Sequence, residues 1–236
     1  MCNHAPNTYV LIHGAWFGGW VWRDVAAGLR TKGHYVTTPT LTGLGERRHL
    51  DQNIDLDTHI EDVLAHIEME DLTNVTLVGW SYGGMVITGA LARIPDKIKA
   101  MIYLDAYVPA DGKAMVDYAS PKFHAALEQL KAADQPIPPL PLELNGVTEP
   151  EHVRWVTPRL VHQPWRTIFQ PVKALTHWPD IKIAYIRCVG FDPSPFSGFL
   201  ETMKKDPKVR TDLINAGHSC MITAPEATVR LLETHG

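Results

Sequence analysis

The sequence predicts an α/β chain: a doubly wound, mostly parallel sheet with a small inserted helical cap. Short β-branched runs alternate with amphipathic stretches of helical length, the order expected of parallel strands joined by crossover helices. The first run, Tyr9-Val10-Leu11-Ile12, is apolar throughout, as befits a strand covered on both faces. From about Asp111 to Pro179 the pattern breaks up. Twelve of the 18 prolines fall between Pro121 and Pro195, too many for regular crossovers, and the stretch is too long for an ordinary loop. With 236 residues and 45% hydrophobic content, the chain is large enough for one core with one inserted piece. The expected division is a core of residues 1–110 and 180–236, with a cap of residues 111–179.

The elements follow in order. Between Trp20 and Lys32, Val21, Val25 and Leu29 share one helical face, and Gly33 terminates the helix. His34 to Thr38 is a second strand stopped by Pro39. Thr40 to Arg48 is a polar loop whose charges are read as solvated. Asp57-Thr58 with Glu61 is read as the cap of the next helix, whose Ile60, Val63, Leu64 and Ile67 form a core stripe. His59 and His66 fall off that stripe and are read as surface. Val75 to Ile87 is strand, tight turn and helix. Lys99 to Leu104 is the fourth strand and ends in Asp105. After the cap, Ile181 to Cys188 and Lys208 to Ile214 complete the sheet, and Thr223-Ala224-Pro225-Glu226 resembles a capping box for the terminal helix.

The chemistry centres on Gly79-Trp80-Ser81-Tyr82-Gly83-Gly84. A serine at the tip of a strand-to-helix turn is forced into a strained backbone, which is tolerated only when the residues two places away on either side are tiny. Gly79 and Gly83 occupy those places, so Ser81 is the candidate nucleophile. A serine hydroxyl needs a base that titrates near neutrality. Of the 12 histidines, His218 alone follows the last strand in a Gly-His-Ser turn. The base in turn needs a carboxylate on its other nitrogen. Asp192 is the first candidate and Asp105 the reserve, because both end strands. Two N–H donors must face the developing oxyanion, and those of Ala15 and Tyr82 are assigned. The glycine-rich turn His13 to Trp20 lacks the spacing of a nucleotide loop; His13 is read as shaping it.

Several classes are excluded. The net charge of −4, with no basic run, leaves no footprint for nucleic acid. No run of about 18 apolar residues suggests a membrane span, and the N-terminus lacks a secretion signal, so a cytoplasmic address is expected. Cys2, Cys188 and Cys220 form no C-x-x-C pair, which argues against a disulfide framework or a metal knuckle, and Cys220 is read as core packing.

These residues together resemble the α/β-hydrolase superfamily along the whole chain. Leu11 to Trp16, Gly18 to Trp22, the Gly-Trp-Ser-Tyr-Gly-Gly-Met turn, Tyr103 to Pro109 and Gly217-His218 are similar to the compact group that holds plant methyl esterases, hydroxynitrile lyases and bacterial esterases acting on pyrethroids and carbamates. The resemblance implies a six-stranded sheet, a mobile cap, no cofactor or metal, and Tyr107 lining the pocket. Trp16, Trp80, Phe123, Trp155 and Trp165 are the other candidate pocket residues. Trp80 departs from the histidine frequent before the serine in bacterial members, and Ser219 stands where the cyanide-releasing lyases carry lysine.

The expected function is that of a serine esterase-type hydrolase (EC 3.1.1) cleaving an ester or carbamate-like bond of a medium-sized apolar or aromatic small molecule, as a monomer or homodimer. The rivals are a lyase or cofactor-free ring-opening enzyme on the same triad, and a slow-turnover small-molecule receptor.

Overall fold

The computed structural model describes residues 6–50, 52–190 and 196–236. Strands β1 (Thr8–Ile12), β2 (Tyr35–Thr37), β3 (Val75–Trp80), β4 (Ile98–Leu104), β5 (Lys182–Cys188) and β6 (Val209–Ile214) form one sheet in the order β2-β1-β3-β4-β5-β6. Every pair is parallel. The expected doubly wound, six-stranded α/β architecture is therefore present. The central β3 is buried at all six positions because helices cover both faces.

The helices are α1 (Arg23–Thr31), α2 (Leu56–Met69), α3 (Gly83–Arg93), α4 (Pro121–Ala132), α5 (Pro150–Val156), α6 (Arg166–Phe169), α7 (Phe196–Met203), α8 (Cys220–Thr223) and α9 (Pro225–His235). A right-handed crossover from β1 outward to β2, followed by a reversal to β3, puts α1 and α2 on opposite faces. Accordingly α1 packs with α9, and α2 with α3. Between Leu104 and Lys182 lie only helices α4 to α6, three 3-10 turns and the antiparallel bridge Ile137–Gln163. Among the described residues no helix is long and apolar enough to cross a membrane.

Several local expectations need correction. The cap of α2 is Asp55, whose carboxylate accepts the Thr58 N–H at 2.9 Å while the Thr58 hydroxyl reaches back to Asp55. Asp57 already lies inside the helix. At α9, Pro225 takes the first position, but no side chain caps it, since Thr223 is absorbed into α8. Arg47 is not merely solvated: it donates to Asp62 and to the Thr40 carbonyl, both at 2.9 Å, and so ties the loop to α2. His59 is fully buried rather than surface, and His66 is half-buried against the Thr37 hydroxyl at 2.8 Å.

The register decides what the sheet presents. Ile12 pairs with Gly79, and Trp80 with Leu104, so β1, β3 and β4 end level with one another. The residues that follow them, His13 to Trp16, Ser81 and Asp105, emerge side by side at the carboxyl edge, where parallel sheets gather function.

Candidate active site

Strain collects at that edge. Trp16, Ser81 and Asp105 have φ of 69°, 54° and 44°, a left-handed conformation that is costly for residues with a Cβ. The turn around Ser81 is compressed as its glycines predict. A Cβ on Gly79 would lie 2.7 Å from the Gly83 carbonyl oxygen, and one on Gly83 would lie 2.8 and 2.9 Å from the Ile12 and His13 oxygens. The turn is pinned to the neighbouring strand end: the Tyr107 N–H donates to the Ser81 carbonyl at 3.2 Å. Neither Ala15 nor Tyr82 donates its backbone N–H to a protein acceptor among the described residues.

The carboxylate in contact with His218 is that of Asp105. His218 Nδ1–H donates to Asp105 Oδ2 at 2.7 Å, and both side chains are buried. The other oxygen, Oδ1, accepts from Arg187 Nη1 at 2.9 Å and from the Cys188 N–H at 3.1 Å. A fully buried carboxylate is thereby matched by a buried cation and by hydrogen bonds to both oxygens, which such a group requires. Asp192, the first candidate from the sequence, lies outside the described residues. Arg187 was not singled out in the sequence, although it sits one residue from the end of β5, beside the end of β4.

His218 is braced by aromatic rings. Phe196 of α7 stacks on it with centroids 4.9 Å apart and an interplanar angle of 10°. Trp80 lies 5.2 Å away and its indole N–H donates to the His218 carbonyl at 2.9 Å. Trp80 thus holds the backbone of the histidine. Tyr107 packs on Phe196 and Phe199, and Tyr118 joins them, giving an aromatic wall that continues from the histidine. Phe196, Phe199 and Tyr118 escaped the sequence reading, because nothing in a β5–β6 connection or a cap marks which rings turn inward.

The remaining expected pocket residues are dispersed. Trp16 is buried, with its indole N–H donating to the Ile137 carbonyl at 3.1 Å. Phe123 is partly buried against the core. Trp155 packs edge-on against Trp20 at 5.1 Å, with the guanidiniums of Arg23 and Arg159 over its ring. Trp165 donates to Asp134 at 2.8 Å and lines a hollow of about 800 Å3 with Gly43, Ile54 and Pro136, which none of Ser81, Asp105 and His218 borders.

Two neutral histidines shape the surroundings. His13 Nδ1–H donates to the Gly14 carbonyl at 2.8 Å, and its Nε2 accepts the Leu41 N–H at 3.1 Å. His59 Nε2–H donates to the Thr42 carbonyl at 2.8 Å, which leaves Nδ1 to accept from the Tyr82 hydroxyl at 2.9 Å. Burial keeps that phenol protonated. Burial also drives the His13 pKa down to about 3 and that of His59 to about 4, against the hydrogen bonds that oppose the shift. Below the ordinary value of about 6.5 the unfolded chain therefore binds protons that the folded chain refuses, and stability falls with pH until the folded pKa values are reached. The thermal midpoint is expected to drop steadily from about pH 6.5 to about pH 4, and His59→Gln to flatten that slope; a flat wild-type profile would contradict it.

Among the described residues no cluster of histidine, cysteine or carboxylate groups is arranged to hold a metal ion. The thiols of Cys188 and Cys220 are buried, and a hydrogen bond between them together with burial raises the Cys188 pKa well above its usual value. A thiol kept protonated is not a nucleophile.

Comparison with known proteins agrees with the fold. The sequence model of the Alpha/beta hydrolase family matches residues 9–231. The carbendazim hydrolyzing esterase of Nocardioides sp. (strain SG-4G) is 42% identical over 243 residues, covering 97% of this chain and 99% of that protein. Methylesterase 10 of Arabidopsis thaliana is 36% identical over a shorter stretch of 103 residues, 43% of this chain and 38% of its own length. A solved extracellular α/β-hydrolase from a Paenibacillus species superposes with a TM-score of 0.86 at 25% identity, covering 98% of this chain and 99% of that one. Sheet order, strained serine turn and full-length similarity converge on one conclusion: the chain belongs to the alpha/beta hydrolase family.

Proposed function

We propose that the protein is a serine esterase that cleaves an ester or carbamate-like bond of a medium-sized apolar or aromatic small molecule. The observation that carries this reading is the buried 2.7 Å hydrogen bond between His218 and Asp105, which directly follows the strand adjoining the one that leads into Ser81. Ser81 Oγ attacks the carbonyl carbon. With its Nδ1 proton held by Asp105, His218 takes the hydroxyl proton on Nε2 and then delivers it to the leaving alcohol. The Ala15 and Tyr82 N–H groups receive the oxyanion, since neither donates to another protein acceptor among the described residues. Water, deprotonated by the same imidazole, attacks the acyl-enzyme, which releases the acid and restores Ser81.

The aromatic wall of Tyr107, Tyr118, Phe196 and Phe199 favours an apolar or aromatic substrate, as does the similarity to an esterase named for carbendazim. In this reading residues 111–179 act as a cap that dries the site. No cofactor or metal takes part, neither nucleic acid nor a membrane is a partner, and the protein works in the cytoplasm as a monomer or homodimer.

Intact-mass analysis after treatment with a serine-directed phosphonate tests the mechanism. One adduct is expected on the wild type and none on Ser81→Ala. An unlabelled wild type, or equal labelling of both, would end this reading.

A further inference from the structure

Trp16, immediately after the Ala15 amide, keeps its left-handed backbone although it has a large side chain. Such a conformation persists only where the surroundings over-determine it. Three hydrogen bonds do so here. The Trp16 N–H donates to Gln163 Oε1 at 3.0 Å, its carbonyl accepts the Val161 N–H at 3.1 Å, and its indole N–H donates to the Ile137 carbonyl at 3.1 Å. All three partners belong to the segment between β4 and β5. Ile137 and Gln163 bond to each other as well, exchanging N–H···O contacts of 2.8 Å in both directions.

Gln163 supplies the one side chain among these partners, and it is fully buried. Its orientation follows from its neighbours. The Thr167 hydroxyl donates to the Pro164 carbonyl at 2.6 Å, so its oxygen accepts from Gln163 Nε2 at 2.7 Å. That turns Oε1 towards the Trp16 N–H. The backbone carries the hole's assigned donor at one peptide and this clamp at the next, so releasing Trp16 lets the Ala15 N–H turn away.

We propose that Gln163 is a positioning residue of the oxyanion pocket, and that through it the pocket is complete only while the β4–β5 segment is seated on the sheet edge. The inference deepens the esterase reading and rests on Ala15 being an oxyanion donor. It predicts that motions which lift the segment also dismantle the hole. Substrate then enters a site that becomes competent on closure.

The test compares Gln163→Met, which removes both hydrogen bonds at similar size, with Gln163→Glu, which keeps an acceptor facing Trp16. On an aryl ester, Gln163→Met is expected to lose about 10-fold to 100-fold in kcat with KM changed less than about 3-fold, the mark of a transition-state interaction. Gln163→Glu should recover most of that loss. Amide hydrogen exchange of residues 13–17 should quicken in Gln163→Met while that around Ser81 stays put. If Gln163→Met does not fold, Thr167→Val, which frees the amide without emptying the site, is read in the same way. Unchanged exchange at residues 13–17, or a loss confined to KM, would overturn the proposal. Absence of Ser81-dependent turnover in the wild type would remove the esterase reading and with it the oxyanion role of Gln163, whereas quickened exchange at residues 13–17 would still establish that Gln163 clamps Trp16.

Discussion

Asp105→Asn is expected to lower kcat by about 10,000-fold while leaving KM nearly unchanged. The reason lies in which oxygen is already spoken for. Oδ1 accepts from Arg187 and from the Cys188 N–H, so the carbonyl of an asparagine stays there, and its NH2 is left facing His218 Nδ1. That nitrogen must then accept, the proton moves to Nε2, and the imidazole can no longer take the serine proton. The substitution also leaves Arg187 without the carboxylate it faces at 2.9 Å, a loss of about 3 to 5 kcal/mol when a buried pair is broken. Kinetics should therefore be measured well below the variant's melting temperature. Asp192→Asn provides the contrast and is expected to change kcat less than about 10-fold. If Asp192→Asn has the greater effect, the acid has been misassigned.

Gly84→Ala is expected to lower stability by about 3 kcal/mol or more, a fall of about 6 to 12 °C in Tm for a chain of this size. A Cβ at this position would lie 2.0 Å from the Tyr107 carbonyl oxygen and 3.0 Å from the Ala106 Cβ. Backbone oxygen cannot swing aside as a side chain can, so α3 and the Asp105–Tyr107 turn must part. They are also joined by the hydrogen bond from Tyr107 to Ser81. Separating them moves Ser81 relative to the histidine that Asp105 holds, and in the proposed mechanism a matching fall in kcat is expected in calorimetry-checked, folded enzyme. A variant that melts within about 1 °C of wild type would refute this account.

The sheet was legible because its strands are continuous apolar runs and its glycines sit where a tight serine turn demands them. Gly79 and Gly83 have the close neighbours that their spacing implied. The choice between Asp105 and Asp192 was not legible, because both follow Ser81 and precede His218, so chain order cannot separate them. What supports Asp105 in the proposed reading is sheet adjacency, since it follows the strand paired with β3 and meets Arg187 on β5, whereas Asp192 lies outside the described residues. His59 was misread for a related reason. Its place off the helical stripe said only that it does not face the sheet, whereas the Thr42 loop and Tyr82 cover that side. Trp155 and Trp165 illustrate a further gap: aromatic content in an irregular segment says how much can be buried, but not which ring meets substrate.

The left-handed backbone at positions 16, 81 and 105 has a consequence for anyone seeking a hardier enzyme. Selection for heat resistance alone favours relaxing those three residues or exchanging them for glycine, and each such gain would come out of turnover. Screens that score survival and rate together should therefore find their improvements elsewhere, in surface helices and loops remote from the carboxyl edge.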